Sequence, residues 1–305
     1  MESVNAQNHT LGSNNQIGTP GGAPPGLDVG NNNTAIGAQN TVATTGTPSG
    51  SGSFPNAARN NNTAVGYQNI ADGNTSTTGS NNTALGMQNQ AIGDSNTAVG
   101  MQNSANAVNA TAMGMQNNYN PSTNAYLTPG QQSTAVGFQN QAQGNNSTAV
   151  GFANFAQTDD SSAMGFANQA LGARSTAMGF ANQAVGNNST AVGFANFAQT
   201  DDSSAMGFAN QALGARSTAM GFANQAVGNN STAVGFANFA QTDDSSAMGF
   251  ANQALGARST AMGFANQAVG NNSTAVGFAN FAQTRHAGFQ PSLGPAQQWG
   301  LLTKL

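Results

Sequence analysis

Between Thr34 and Asn280 a seven-residue pattern recurs sixteen times: Thr or Ser, Ala, an aliphatic residue or Met, Gly, usually an aromatic residue or Met, Gln or Ala, then Asn. In Thr148-Ala149-Val150-Gly151-Phe152-Ala153-Asn154 the larger side chains of Thr148, Val150 and Phe152 alternate with the small Ala149, Gly151 and Ala153. A period of two sends successive side chains to opposite faces, so each copy reads as a β-strand. A shorter stretch follows each copy, such as Phe155-Ala156-Gln157-Thr158 or Gln169-Ala170-Leu171-Gly172, and reads as a second, shorter strand. From Thr134 the copies start every fourteen residues. Fourteen residues at about 3.3 Å each make a circuit of roughly 46 Å, enough for two short strands and two tight turns. The chain therefore reads as all-β, a parallel β-roll (β-solenoid) with 14-residue rungs, each about 4.8 Å from the last.

Stacking turns each position into a column of like residues. Phe152, Phe166 and Phe180 form an aromatic ladder that reads as core packing, with offset stacking adding roughly 0.5 to 1.5 kcal/mol per pair. Asn154, Asn168 and Asn182 form an amide ladder of the kind seen in stacked strands. Gly151, Gly165 and Gly179 would weaken a sheet unless another backbone approaches closely there. Both faces of the strand thus read as buried, one by bulk and one by close approach. A two-strand roll has a single interior, so the other face calls for a partner chain. Three chains about an axis are the expected closed arrangement.

Four regions follow from the spacing. Residues 1–33 are polar and Gly/Pro-rich, with Thr19-Pro20-Gly21-Gly22-Ala23-Pro24-Pro25-Gly26 excluding a regular helix or central strand, and read as an arm or cap. Residues 34–133 hold irregular rungs with loop insertions, among them a nine-residue one near Asn120-Pro121-Ser122-Thr123-Asn124. Residues 134–284 form the regular array, in which 145–186 is copied without change as 187–228 and 229–270. Residues 285–305 abandon the pattern and read as a cap or docking tail.

Charge changes the picture next, because only 5% of the residues are charged and the formal net charge is -4. A column of like charges about 4.8 Å apart would repel by roughly 0.9 kcal/mol per step even in water. Where charge occurs it alternates: one column runs Asn146, Asp160, Arg174, Asn188, Asp202, Arg216, Asn230, Asp244, Arg258, Asn272. The spacing predicts inter-rung pairs Asp160 with Arg174, Asp202 with Arg216, and Asp244 with Arg258, which would penalise register slips more than they stabilise.

Several function classes lose support. Six basic residues do not make a nucleic-acid surface. The pairs Asp159/Asp160, Asp201/Asp202 and Asp243/Asp244 lack the surrounding oxygen ligands and Gly-Gly-x-Gly-x-Asp signature of calcium rolls, so no metal or cofactor is expected. His9 and His286 lie at opposite ends, and no Ser, His and acid constellation can be proposed, so the chain reads as non-enzymatic. There is no cysteine, no apolar run long enough to span a bilayer, and no visible signal peptide at Met1-Glu2-Ser3-Val4-Asn5.

Rungs such as Asn146-Ser147-Thr148-Ala149-Val150-Gly151 and Asn188-Ser189-Thr190-Ala191-Val192-Gly193 resemble the N-S-x-A-[IV]-G motif of the YadA-like head of trimeric autotransporter adhesins. Similar repeats occur in some phage tail fibres. The resemblance covers residues 34–284 and implies a left-handed, homotrimeric β-roll, extracellular or on a cell surface or virion, that contacts host-cell or matrix surfaces. The expected function is a non-enzymatic structural fibre or adhesin, a stiff surface-projecting rod. The alternative is a subunit of a self-assembling filament or phage tail fibre joined through its N-terminal arm and C-terminal tail.

Overall fold

The computed structural model describes residues 9–17, 33–44, 61–73 and 81–283. The expected C-terminal cap over 285–305 lies outside the described residues, as does the expected N-terminal arm apart from residues 9–17 and 33. The chain forms two compact units, residues 1–167 and 168–305.

Each unit is a parallel β-solenoid, and the described residues contain strands, turns and bends but no helix. In the first unit nine five-residue strands, from His9–Ser13 to Ser162–Phe166, pair in parallel with like residues opposite like. Thr134 to Phe138, for example, face Thr148 to Phe152 one for one. In the second unit eight such strands, Thr176–Phe180 to Thr274–Phe278, repeat that register. Strands of two to four residues form the opposite side of the roll, as where Gln183–Ala184 pairs with Phe197–Ala198.

The stack also begins before Thr34. His9–Ser13 pairs with Thr34–Ala38, and Gln16–Ile17 pairs with the start of Thr41–Thr44. Leu11, Gly12 and Asn15 keep the aliphatic, Gly and Asn positions of the motif, while Thr10 stands where the other rungs have Ala.

The interior corrects one expectation. Phe152, Phe166 and Phe180 are not core: they are 41–42% exposed, whereas Ala149, Ala163 and Ala177 on the opposite face of the same strands are fully buried. Each regular rung encloses two Ala side chains, one Asn and one Ser, for instance Ala191, Asn196, Ala198 and Ser203. Apart from Val42, the largest fully buried side chains are asparagines. The reason is the short circuit. Two strands joined by two tight turns leave too narrow a lumen for a ring, so the small residues define the inside and bulk is turned out.

Glycine fits the same geometry. Gly151 has φ 121°, and a Cβ placed there would lie 2.1 Å from the carbonyl oxygen of Gly165. The next rung's backbone occupies the space a side chain would need, and an L-residue would also be strained at that φ.

The insertion after Asn117 is a small antiparallel hairpin, Tyr119–Asn120 with Ala125–Tyr126, whose two tyrosine rings meet edge to face at 5.2 Å. It interrupts the short-strand side of the roll. Asn118, fully buried, spans the interruption with its carboxamide: Nδ2 donates to the Ser104 carbonyl (3.0 Å) and Oδ1 accepts from the Ala142 N–H (2.8 Å). One side chain thus stands in for a missing backbone pair.

Candidate functional site

The turn after each long strand is closed by its Asn. The Nδ2 of Asn154 donates to Val150 O in its own rung (2.9 Å), Asn140 Oδ1 in the previous rung (2.9 Å) and Gly165 O in the next (2.7 Å). Asn182 does the same toward Met178 O, Asn168 Oδ1 and Gly193 O, at 2.9, 3.0 and 2.7 Å. The Asn168 Nδ2 reaches Gly179 O at 2.8 Å. These carboxamides satisfy buried carbonyls in three successive rungs, so their column works as a covalently spaced hydrogen-bond spine.

Just before each Asn sits a residue in the left-handed region, which costs a non-glycine residue of order 1 kcal/mol or more. In the early rungs that residue is Gln, at φ 53° to 57° from Gln39 to Gln139. Its amide offsets the cost by bonding along the stack: Gln88 Nε2 donates to Gln68 Oε1 (3.0 Å), Gln116 to Gln102 (3.0 Å) and Gln139 to Gln116 (3.0 Å). From Ala153 onward the same position is Ala, with φ 51° to 54°.

The outward face of the long strands carries the aromatic ladder. Phe138, Phe152 and Phe166 in the first unit stack with centroids 5.0 and 4.8 Å apart. In the second unit Phe180 to Phe278 stack at 4.8 to 5.0 Å, with interplanar angles of 3° to 6°. Beside them runs a column of Val and Met, in which Met178, Met220 and Met262 are each 39% exposed. Two adjoining apolar columns thus lie partly exposed on one sheet face.

The acidic and basic residues fall in the turn at the opposite end of the rung, at left-handed positions such as Asp202 (φ 58°) and Arg216 (φ 55°). The predicted ion pairs are not what this column makes. Asp202 accepts from Asn188 Nδ2 (3.1 Å) and Asp244 from Asn230 Nδ2 (3.2 Å), while Arg216 and Arg258 form no ion pair with them. Asp160 accepts from Asn146 (3.3 Å), and Arg174 Nε donates to Asn188 (2.8 Å); Asp160 and Arg174 belong to different units. In each bond the donor sits on the earlier rung, so an Arg on the later rung would have to reach back for its Asp. Exposed pairing at about 0 to 1 kcal/mol gives little reason to do so. The neighbouring Asp201 and Asp243 instead accept backbone N–H groups of Asn187 (2.8 Å) and Asn229 (2.9 Å). No group of metal-ligating side chains occurs among the described residues, and no helix among them is long and apolar enough to cross a membrane.

A second amide column, which the repeat pattern did not single out, lies in the early rungs. Asn82 Nδ2 donates to Asp72 O (2.7 Å) and Gly93 O (2.6 Å), and Asn96 Nδ2 to Ile92 O (2.9 Å). Ile92-Gly93-Asp94-Ser95-Asn96 copies the turn of Val99-Gly100-Met101-Gln102-Asn103, with positive φ at Gly93, Ser95, Gly100 and Gln102 alike. The signal was present as Asn immediately before Thr63, Thr83 and Thr97.

Comparison with curated proteins gives no match. Nine overlapping segments, the first at residues 129–154 and the rest running from 159 to 280, match the YadA head domain repeat. Their fourteen-residue rungs, with the Asn spine inside and the Phe ladder outside, have the architecture described above. Residues 129–154 and 159–280 of this chain therefore match the YadA head domain repeat.

Proposed function

We propose that the chain is a non-enzymatic structural adhesin that acts as a homotrimer outside the cell and contacts cell or matrix surfaces over many rungs at once. The observation that carries this reading is the outward ladder face. A rung's interior buries two Ala side chains at about 0.8 kcal/mol per methyl group, and covering the two-fifths of one Phe that is still exposed would contribute roughly 0.6 to 1.2 kcal/mol more. A single chain leaves this apolar face open along its whole ladder, and a second and third copy presenting the same columns would close it. The YadA head repeats support the same assembly and the same exposed setting. Low charge fits too, since stacked rungs and closely packed chains both penalise unpaired charge.

Attachment is tested with beads coated with the full chain and applied to cultured cells and to immobilised matrix. The expected result is retention above uncoated beads, lost when Phe222→Asp breaks the ladder. Equal retention of coated and uncoated beads on every surface would overturn the adhesive reading. Electron microscopy separates it from the filament alternative: discrete particles support the adhesin, and fibres that lengthen indefinitely support the filament.

A further inference from the structure

The Gln ladder ends at Gln139, and the place where it ends is a cleft. Gln139 Nε2 donates back to Gln116, but the next rung holds Ala153, which has no amide to donate to Gln139 Oε1. The missing side chain leaves a notch of about 300 Å³, within the first unit, between the roll and the hairpin. Tyr119 and Pro121 of the hairpin form one wall and Gln139, Gln141, Ala153 and Phe155 the other. Tyr119 is fixed, because its ring packs on Tyr126 and its hydroxyl donates to Asn124 Oδ1. Tyr126 in turn donates to the Gln88 carbonyl at 2.5 Å, which ties the hairpin to the roll. Gln141 Oε1 accepts from Gln143, so its NH₂ group remains to be used. The notch therefore offers one open amide acceptor, one open amide donor, and the half-buried ring of Phe155.

We propose that this notch binds a single neutral sugar ring of a glycan. Its volume is at the small end of ligand pockets, which suits one pyranose and not an extended peptide. Neither a carboxylate nor a basic group lines it, so a charged ligand would lose its hydration without a counter-charge. A purely apolar ligand would strand the two amides. A pyranose matches both features: hydroxyls that donate to Gln139 Oε1 and accept from the Gln141 NH₂, and a C–H face that lies on an aromatic ring with its negative π surface. The site deepens the attachment reading by naming a ligand class, yet it lies in one chain and does not depend on trimerisation.

The test is saturation-transfer NMR on the full chain with methyl glycosides of glucose, galactose, mannose and N-acetylglucosamine, beside glucuronate. Two variants are safe for the fold, because neighbouring rungs already carry the new residue in the same column: Gln139→Ala, as at Ala153, and Phe155→Gln, as at Gln141. The expected result is transfer to the ring protons of at least one neutral glycoside, with affinity falling about tenfold in each variant, the equivalent of one lost hydrogen bond or stacking contact. Gln211→Ala, in the other unit, should leave it unchanged. Absence of transfer to every neutral glycoside, undiminished transfer in both variants, or transfer to glucuronate alone would overturn the proposal. Because free sugars are used, failure here leaves bead attachment as a separate result.

Discussion

The early rungs, residues 33 to 110, and the regular rungs, residues 134 to 283, close the same circuit with different chemistry. In the early rungs Asn33, Asn62, Asn82 and Asn96 stand before the long strand, each carboxamide oxygen but the last accepting the backbone N–H of the next Asn, and the turn Gly93 to Asn96 repeats the Gly, left-handed residue and Asn of the other turn. In the regular rungs only the turn after the long strand keeps Asn. The other end carries Ser, whose backbone N–H closes the turn, as where Ser189 N–H donates to Gly186 O at 3.3 Å; where Thr replaces that Gly the Ser hydroxyl adds a second bond. The difference teaches which part is indispensable. The Asn that closes the turn after the long strand is present in both regions and satisfies carbonyls of three rungs, whereas the second carboxamide is given up where a Gly-x-x-Ser or Thr-x-x-Ser turn supplies its own bond.

The comparison can be broken most severely at the shared spine. Asn210 donates to Asn196 Oδ1, Met206 O and Gly221 O, and accepts from the N–H and NH₂ of Asn224. Asn210→Ala leaves several of these buried groups without partners, and should cost about 3 to 5 kcal/mol in local stability, read by amide hydrogen exchange in the flanking rungs. Asn96→Ser gives an early rung a Gly-x-x-Ser sequence from Gly93, but Gly93 stands at φ 116°, unlike the glycine of the regular turn, so the lost carboxamide bonds are not replaced; it should cost less, about 2 kcal/mol. Equal effects would mean that the two Asn columns are equivalent after all.

The serine column gives a finer contrast. Ser203 Oγ donates to Thr200 O at 2.6 Å, while Ser217 Oγ is buried without a partner. Ser203→Ala should destabilise by about 0.5 to 1.5 kcal/mol, and Ser217→Ala should be neutral or slightly stabilising, since it removes an unsatisfied hydroxyl. Thermal melts of the two variants decide it, with a lowered midpoint expected for Ser203→Ala and no lowering for Ser217→Ala.

The smallest effect concerns acid. Burial raises the Asp72 carboxyl above the ordinary carboxylate range, and its Oδ1 has no hydrogen-bond partner. A raised folded-state value means that the protonated form favours the fold. This contribution is complete below the ordinary carboxylate pKa and is lost as pH rises through the raised one. Asp72→Asn should therefore stabilise the early rungs at neutral pH and make no difference in strong acid. Hydrogen exchange of residues 61–73 at two pH values checks it, and a stabilisation of equal size at both would contradict it.

Much of this fold was legible in the sequence. The fourteen-residue period, the strand at each Thr-Ala-aliphatic-Gly, and the stacking of equivalent residues follow from alternation and from exact copying. What was misread is which face points inward. Bulk ordinarily marks a core, but in a circuit this short Phe152 cannot fit and Ala149 can. Period-two alternation separates two faces without saying which is inside. The first rung escaped notice because Thr10 replaces the marker Ala, although Leu11, Gly12 and Asn15 kept their places. The second Asn column was hidden because loop insertions vary its distance from the first. The hydrogen bonds of Asp202 and Arg216 depend on which rung supplies the donor, and column composition alone does not carry that information.

The claim on which the account rests is that the outward Phe ladder is covered by identical chains. Sedimentation equilibrium of the full chain at micromolar concentration tests it most directly, with Phe222→Asp run beside it. The account predicts a species of three times the 30.5 kDa chain mass that dissociates in the variant. A folded species of single-chain mass, with the same value in the variant, would contradict it.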